Sequence, residues 1–237
     1  MQHIIDRLVN KAIERYQLQR IEKYKIKTDW KPDIVISRDP GSGGNPIAKK
    51  LTKKLGWRFF NKDLMLELSK ELGIPTEELT HVDEHSRNWA TDFVHSIFNP
   101  SYVSDMLYIT HLKKILIHAA KDGDMVILGR GANLILPPNK CFRVRITASL
   151  KTRIDNTYKY EKYATKAEAE ARVKHVESHR NQFIRQYFGA NPHNPWNYDL
   201  VISTDHLSLD QAVEIILQAY LIKFPQESKR IKSKLSL

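Results

Sequence analysis

Asp33-Ile-Val-Ile-Ser-Arg-Asp-Pro-Gly-Ser-Gly-Gly-Asn-Pro-Ile-Ala-Lys-Lys-Leu51 is the run on which the rest of the chain turns. It sets a short apolar stretch, Ile34, Val35 and Ile36, ahead of a glycine-rich turn and a helix start. Glycine backbones reach φ > 0 and bring several N–H groups to bear on one anion. A helix beginning there adds the positive end of its dipole. The layout is that of a loop that cradles phosphate. It departs from the usual pattern of such loops, G-x-x-x-x-G-K-S/T. With Gly43 as the second glycine, Arg38 stands at the first, Gly44 at the lysine and Asn45 at the serine or threonine. The groups that ordinarily meet the γ-phosphate and magnesium are therefore replaced.

Outward from this loop, short apolar strands alternate with helices. Strands are expected at 33–37, 57–60, 125–128, 142–147 and 200–203. The helix after the loop runs to about Leu55 and ends at Gly56. Residues 64–122 read as helices broken near Gly73-Ile-Pro75 and Asn99-Pro100, and 149–188 as a charged helical stretch. Ser208, with Gln211 at capping-box spacing, opens an amphipathic helix to about Tyr220. Strand–helix alternation implies a three-layer α/β fold, a parallel five-stranded sheet flanked by helices. Ligands in such sheets bind beyond the carboxyl ends of the strands. The glycine loop, Asn61-Lys62-Asp63, Gly129-Arg130-Gly131 and Thr204-Asp205 all follow strands and should share that edge.

Three segments divide the chain: an N-terminal helix over 1–30, a main domain over 31–222, and a basic tail over 223–237, expected to be mobile. Ile4, Ile5, Leu8, Val9, Ala12, Ile13 and Tyr16 make one apolar stripe at helical spacing. It must pack on this domain or on a second copy, so a homodimer through this helix is one expectation. Lys31-Pro32 ends it. The formal charge of +11 favours an anionic partner, unless the excess merely decorates solvated helix faces. One cysteine, Cys141, excludes an internal disulfide and fits a reducing compartment. No apolar run approaches the roughly 18 residues of a membrane span, and the start does not read as a signal peptide. The expected location is the cytoplasm.

Taken together, these pieces resemble the cytidylate kinase-like family. The Ser-Arg-x-x-Gly-Ser-Gly-Gly loop of that family is matched by Ser37, Arg38, Gly41, Ser42, Gly43 and Gly44. The stretch 56–64 resembles its second strand and monophosphate-side loop, and 127–133 its Gly-Arg segment. Residues 142–153 resemble the strand leading to its lid, Glu177-x-x-Arg180 its Asp-x-x-Arg, and 198–208 its last strand. The likeness runs in order over about 33–220. It implies a P-loop nucleoside-monophosphate-kinase architecture with a helical lid over about 149–190, using ATP and magnesium. It has two departures: true cytidylate kinases carry the loop lysine, and an Asp after the Gly-Arg pair, where Gly44 and Gly131 stand here.

Particular residues follow from both readings. Gly41, Ser42, Gly43, Gly44 and Asn45 are expected around nucleotide phosphate, with Ser42 and Asn45 suited to ordering a magnesium-bound water. Arg38 is either a replacement cation with a fork suited to phosphate, or an arginine tying loop to sheet. The resemblance implies that Arg130 grips the acceptor phosphate, with Lys62, Asp63 and Glu177 on the acceptor side. It also implies that the lid arginines, Arg153 and Arg180, close over the transferring group. The bland alternative for these is a charged helix face, with Glu177 and Arg180 as an i,i+3 pair. His81, His85, His175 and His179 supply i,i+4 pairs but no third ligand of matching spacing, so no protein-bound metal site is expected. The leading expectation is transfer of the ATP γ-phosphoryl group to a small phosphorylated acceptor, with cytidylate named on resemblance alone. The alternative is a degenerate, inactive kinase fold that binds nucleotide or another polyanion. A nucleic-acid binder ranks last, because no reader motif is present.

Overall fold

The computed structural model describes residues 31–60, 62–74 and 105–235, with the side chains of 62–63, 105–107 and 234–235 outside that description. The expected helix over 1–30 with its dimerisation stripe lies outside the described residues. So do the break near Asn99-Pro100, and His81 and His85, whereas at the break expected near Gly73-Ile-Pro75 the helix stops at Glu71 and Gly73 turns left-handed (φ 64°).

Ile34, Val35 and Ile36 form the middle of strand β1 (Asp33–Arg38). Successive side chains face opposite sides of a strand. Val35 accordingly joins one apolar cluster, while Ile34 and Ile36 join another. Burial on both faces is why the run is continuously apolar rather than alternating. The other strands are β2 (Arg58–Phe60), β3 (Met125–Leu128), β4 (Cys141–Thr147) and β5 (Leu200–Ser203). All pair in parallel, in the order β2-β3-β1-β4-β5. Ile34 lies between Val126 and Phe142.

Among the described residues the helices are α1 (Gly44–Leu55), α2 (Lys62–Glu71), α3 (Asp105–Ala120), α4 (Ala132–Ile135), α5 (Leu150–Glu161), α6 (Lys166–Phe188), α7 (Leu209–Lys223) and α8 (Ser228–Leu235). Ile47, Leu51, Ile216, Tyr220 and Ile231 bring α1, α7 and α8 onto one face of the sheet. Met65, Leu112, Ile135 and Phe183 bring α2, α3, α4 and α6 onto the other. The expected three-layer α/β architecture is what is found. After β1 the chain passes through α1 and beyond β3 to reach β2, whereas after β3 it passes through α4 and beyond β1 to reach β4. The two connections leave in opposite directions. A crevice therefore opens between the carboxyl ends of β1 and β3, the switch point where ligands bind in such sheets.

The charged stretch expected as one helical run divides into α5 and α6. Lys162 takes a left-handed φ of 59°, and the Thr165 hydroxyl caps α6 by accepting from Glu168 N at 3.2 Å. Ser208 and Gln211 cap α7 reciprocally, as their spacing required. The tail past Pro225, expected to be mobile, folds instead as α8. Ile231 is buried there, and Arg230 donates to Asp124 at 2.6 Å and to Glu227 at 2.5 Å. One buried isoleucine and one paired arginine hold it, and neither stands out among the tail's lysines. No helix among the described residues is long and apolar enough to cross a membrane.

Candidate functional site

The glycine loop joins β1 to α1 at the mouth of the crevice. Gly43 is the N-cap in left-handed conformation (φ 81°, ψ 8°), and no side chain caps the helix. Its carbonyl accepts from Ile47 N at 3.1 Å, which starts α1. The N–H groups of Gly43, Gly44 and Asn45 have no acceptor among the described residues. No acidic residue occupies the first turn. Unsatisfied donors at the positive end of a helix dipole make a seat for an anion. The loop is braced from outside. Thr204 Oγ1 donates to Ser42 O at 3.0 Å, and Asn156 Nδ2 to Gly41 O at 2.9 Å. The Ser42 hydroxyl is fully buried, donating to Asp39 O at 2.8 Å and lying 3.2 Å from Ile146 O. Ser42 thus serves the loop's interior, in place of the water-ordering role its position suggests.

Arg38 ends β1 and runs across the crevice, its guanidinium beside Gly129. Gly129, Arg130 and Gly131 are successively left-handed (φ 80°, 58° and 66°), which turns the loop after β3 sharply. Arg130 reaches the Tyr108 hydroxyl at 3.5 Å. Arg180, in α6, donates from Nη1 to Arg38 O at 3.3 Å. Burial first, then repulsion from Arg180 and Arg130, brings the Arg38 pKa down to about 9. Arg180 is lowered as well, by burial and then by Arg172, against opposing pulls from Asp39 and Glu161. Neither Arg38 nor Arg180 is ion-paired to a carboxylate among the described residues. Desolvated cations without a counter-charge are costly until an anion completes them.

Other arginines nearby are neutralised. Arg145 in β4, buried, donates to Asp39 Oδ1 at 2.6 Å and contacts His193 Nδ1 at 3.1 Å, while Thr147 donates to Asp39 Oδ2 at 2.6 Å. Arg143 pairs with Asp199 at 2.9 Å. Arg153 on α5 lies 3.2 Å from Glu177 on α6. The resemblance puts Arg153 over the reacting group and Glu177 on the acceptor side. In the structure they face each other and tie α5 to α6.

The lid helices already lie against the loop. A Cβ at Gly41 would fall 2.2 Å from Arg153 O, and the Arg180–Arg38 contact is made, whereas the sequence reading has both arginines arriving only on closure. Gly131 stands where true cytidylate kinases carry Asp, and it has no room for a side chain: a Cβ would meet the Phe188 ring at 2.5 Å. Lys62 and Asp63 open α2 directly after β2, with their side chains outside the described set. Asp39, Arg145, Thr147 and His193 shape the site but are not sequence candidates, whereas Thr204 is placed at this edge by its position after β5. A signal for two of them was present, since alternation along β4 puts Arg143, Arg145 and Thr147 on one face.

Magnesium is the metal such a loop implies. Asp39 is committed to Arg145 and Thr147, Asp205 to Ser149 N at 3.0 Å, and Glu177 to Arg153. Those three carboxylates are thus taken up and Ser42 is turned inward, which leaves the exposed Asn45 on the first turn and, beside Gly41, the buried Thr157 hydroxyl, unpaired among the described residues. Among the described residues the set fits a polyphosphate and offers no free carboxylate from Asp39, Asp205 or Glu177 to a magnesium ion. Among the described residues no group of three or more His, Cys, Asp or Glu converges. The His175 and His179 rings lie 4.2 Å apart, tilted at 55°, and burial followed by His175 lowers the His179 pKa.

The model of the cytidylate kinase-like family matches residues 33–206. The chain is similar to the cytidylate kinase of Sulfurisphaera tokodaii, 26% identical over 189 residues that cover 79% of this chain and 94% of that protein. It is also similar to the cytidylate kinase of Archaeoglobus fulgidus, 27% identical over 192 residues that cover 80% and 95%. Among solved structures it is similar to an uncharacterized protein from Eubacterium ventriosum, with TM-score 0.57 and 19% identity over 79% of this chain and 97% of that one. That last likeness concerns the fold.

Proposed function

The chain belongs to the cytidylate kinase-like family, and from that premise we propose a nucleotide kinase that moves the ATP γ-phosphoryl group to a nucleoside monophosphate, with cytidylate the acceptor of first choice. The supporting observation is the pair Arg38 and Arg180, desolvated and without counter-charge among the described residues, beside the unsatisfied N–H groups of Gly43, Gly44 and Asn45. An acceptor phosphate oxygen is already anionic, so transfer to it asks for alignment and charge neutralisation rather than a protein nucleophile. In this reading the backbone donors hold the donor phosphates, and Arg38 meets them from β1 and Arg180 from α6. Arg130 holds the acceptor phosphate, with Lys62 and Asp63 on the same side. Arg153 and Glu177 are a positioning pair that keeps α5 and α6 together.

The test is a panel of nucleoside monophosphates with ATP and magnesium, read as ADP formed. Turnover with at least one acceptor, lost in Arg38→Ala, is the expected result. Nucleotide binding without turnover on any acceptor would put the second reading in its place, an inactive kinase fold that binds nucleotide or another polyanion. What favours that second reading is the commitment of Asp39, Asp205 and Glu177 to protein partners, away from any metal.

A further inference from the structure

Building on that reading of the loop, we propose that its two departures from the phosphate-loop pattern are one reciprocal exchange. Arg38 occupies the room that a side chain at position 44 would need and supplies the loop's phosphate cation. Gly44 is the positioning residue that leaves it that room.

A Cβ at position 44 would lie 2.5 Å from Arg38 Cβ and 2.7 Å from its Cγ, closer than carbon atoms approach. Gly44 sits in α1 without a left-handed φ, so its backbone conformation does not call for glycine. The passage of Arg38 does. At the other end of the same side chain, a Cβ at Gly129 would lie 2.2 Å from Arg38 Nη1 and 3.3 Å from Cζ. The stem thus depends on Gly44, while Gly129, already glycine for its left-handed φ of 80°, leaves room for the guanidinium. The converse holds too. A lysine at 44 requires a residue at 38 without a Cβ, and glycine is what the ordinary pattern has there. The exchange replaces a flexible ammonium on the helix with a planar fork fixed at the end of a strand. The fork offers paired N–H donors to phosphate oxygens.

The test compares ATP binding by calorimetry for the wild type, Arg38→Gly, Gly44→Lys and the double variant that restores G-x-x-x-x-G-K. Each single change should weaken binding by about tenfold or more, and the double variant should bind about tenfold more tightly than Arg38→Gly, the non-additivity of coupled sites. Recovery in the double variant is a result that a merely structural glycine would not give. Gly44→Lys with wild-type affinity and melting temperature overturns the exchange, as does a double variant with additive losses. If Gly44→Lys fails to fold, a folded double variant that binds ATP supports the exchange and an unfolded one overturns it. A wild type that does not bind ATP overturns this inference and the proposed function together. Wild-type binding with additive losses overturns this inference alone.

Discussion

Arg38 and Arg145 leave neighbouring strands one step apart in register and meet opposite surroundings. Arg145 finds Asp39, Thr147 and His193, and its charge is spent inside the protein. Arg38 finds Arg180 and Arg130, and its charge is left over among the described residues. Both are arginines at the end of one sheet, so residue type does not separate architecture from binding chemistry; the neighbours do. Removing one partner of a buried ion pair strands the other. Removing a desolvated cation that has no counter-charge among the described residues relieves the free fold, and the loss is felt only when an anion arrives.

The largest effect should come from breaking the paired side. Arg145→Ala leaves Asp39 buried without its cation and should cost about 3–5 kcal/mol in urea unfolding. A loss near zero would mean that the two arginines do not differ as described. Next, Arg38→Met should cut kcat/KM or ATP affinity about a hundredfold, on the order of 2–4 kcal/mol. The melting temperature of the ligand-free variant should hold or rise, and a fall as deep as that of Arg145→Ala would erase the contrast.

A third comparison uses the ligand itself. ATP at about a hundred times its Kd should stabilise the wild type by about 2.7 kcal/mol. It should leave Arg38→Met nearly unmoved in a thermal shift.

Proton linkage sharpens the contrast further. The folded pKa of Arg38, about 9, lies well below its ordinary value. The charged form is therefore the one the fold disfavours: this group weighs against stability at neutral pH, and the weight lifts as pH rises above about 9 toward the ordinary arginine range. ATP affinity should accordingly fall by up to about tenfold per pH unit above that point. The same series on Arg38→Met, measured by calorimetry, should lack that step. The smallest effect belongs to an exposed pair between α1 and α7. Lys50 and Asp210 meet at 2.7 Å in solvent, and Lys50→Ala should change stability by less than about 1 kcal/mol with activity intact.

Much of this was legible in the chain. The apolar run at 34–36, the glycine cluster and the capping box at Ser208 and Gln211 each rest on local chemistry, and each is found where the spacing puts it. Arg38, Arg130 and Arg180 could be singled out because each follows a strand or belongs to a motif. What could not be read was which charges are already neutralised. Glu177 meets Arg153 rather than Arg180, across two helices. Asp39 meets Arg145 at a separation of 106 residues. Ser42 turns inward because carbonyls of Asp39 and Ile146 wait there. Such facts depend on packing between distant segments, and no local pattern carries them. The tail was misjudged for the same reason: its anchors, Asp124 and the apolar cluster that receives Ile231, lie far back in the chain.

The central place of β1 has a consequence for how the protein is made. Its partner strands start at Met125 and Cys141, so Ile34, Val35 and Ile36 leave the ribosome long before anything can pair with them. At about 5–20 residues per second, that wait is on the order of ten seconds. During it the nascent chain carries an unpaired apolar strand edge beside a net positive charge. The segment 33–38 is therefore the stretch of the newborn chain with most need of a chaperone's cover.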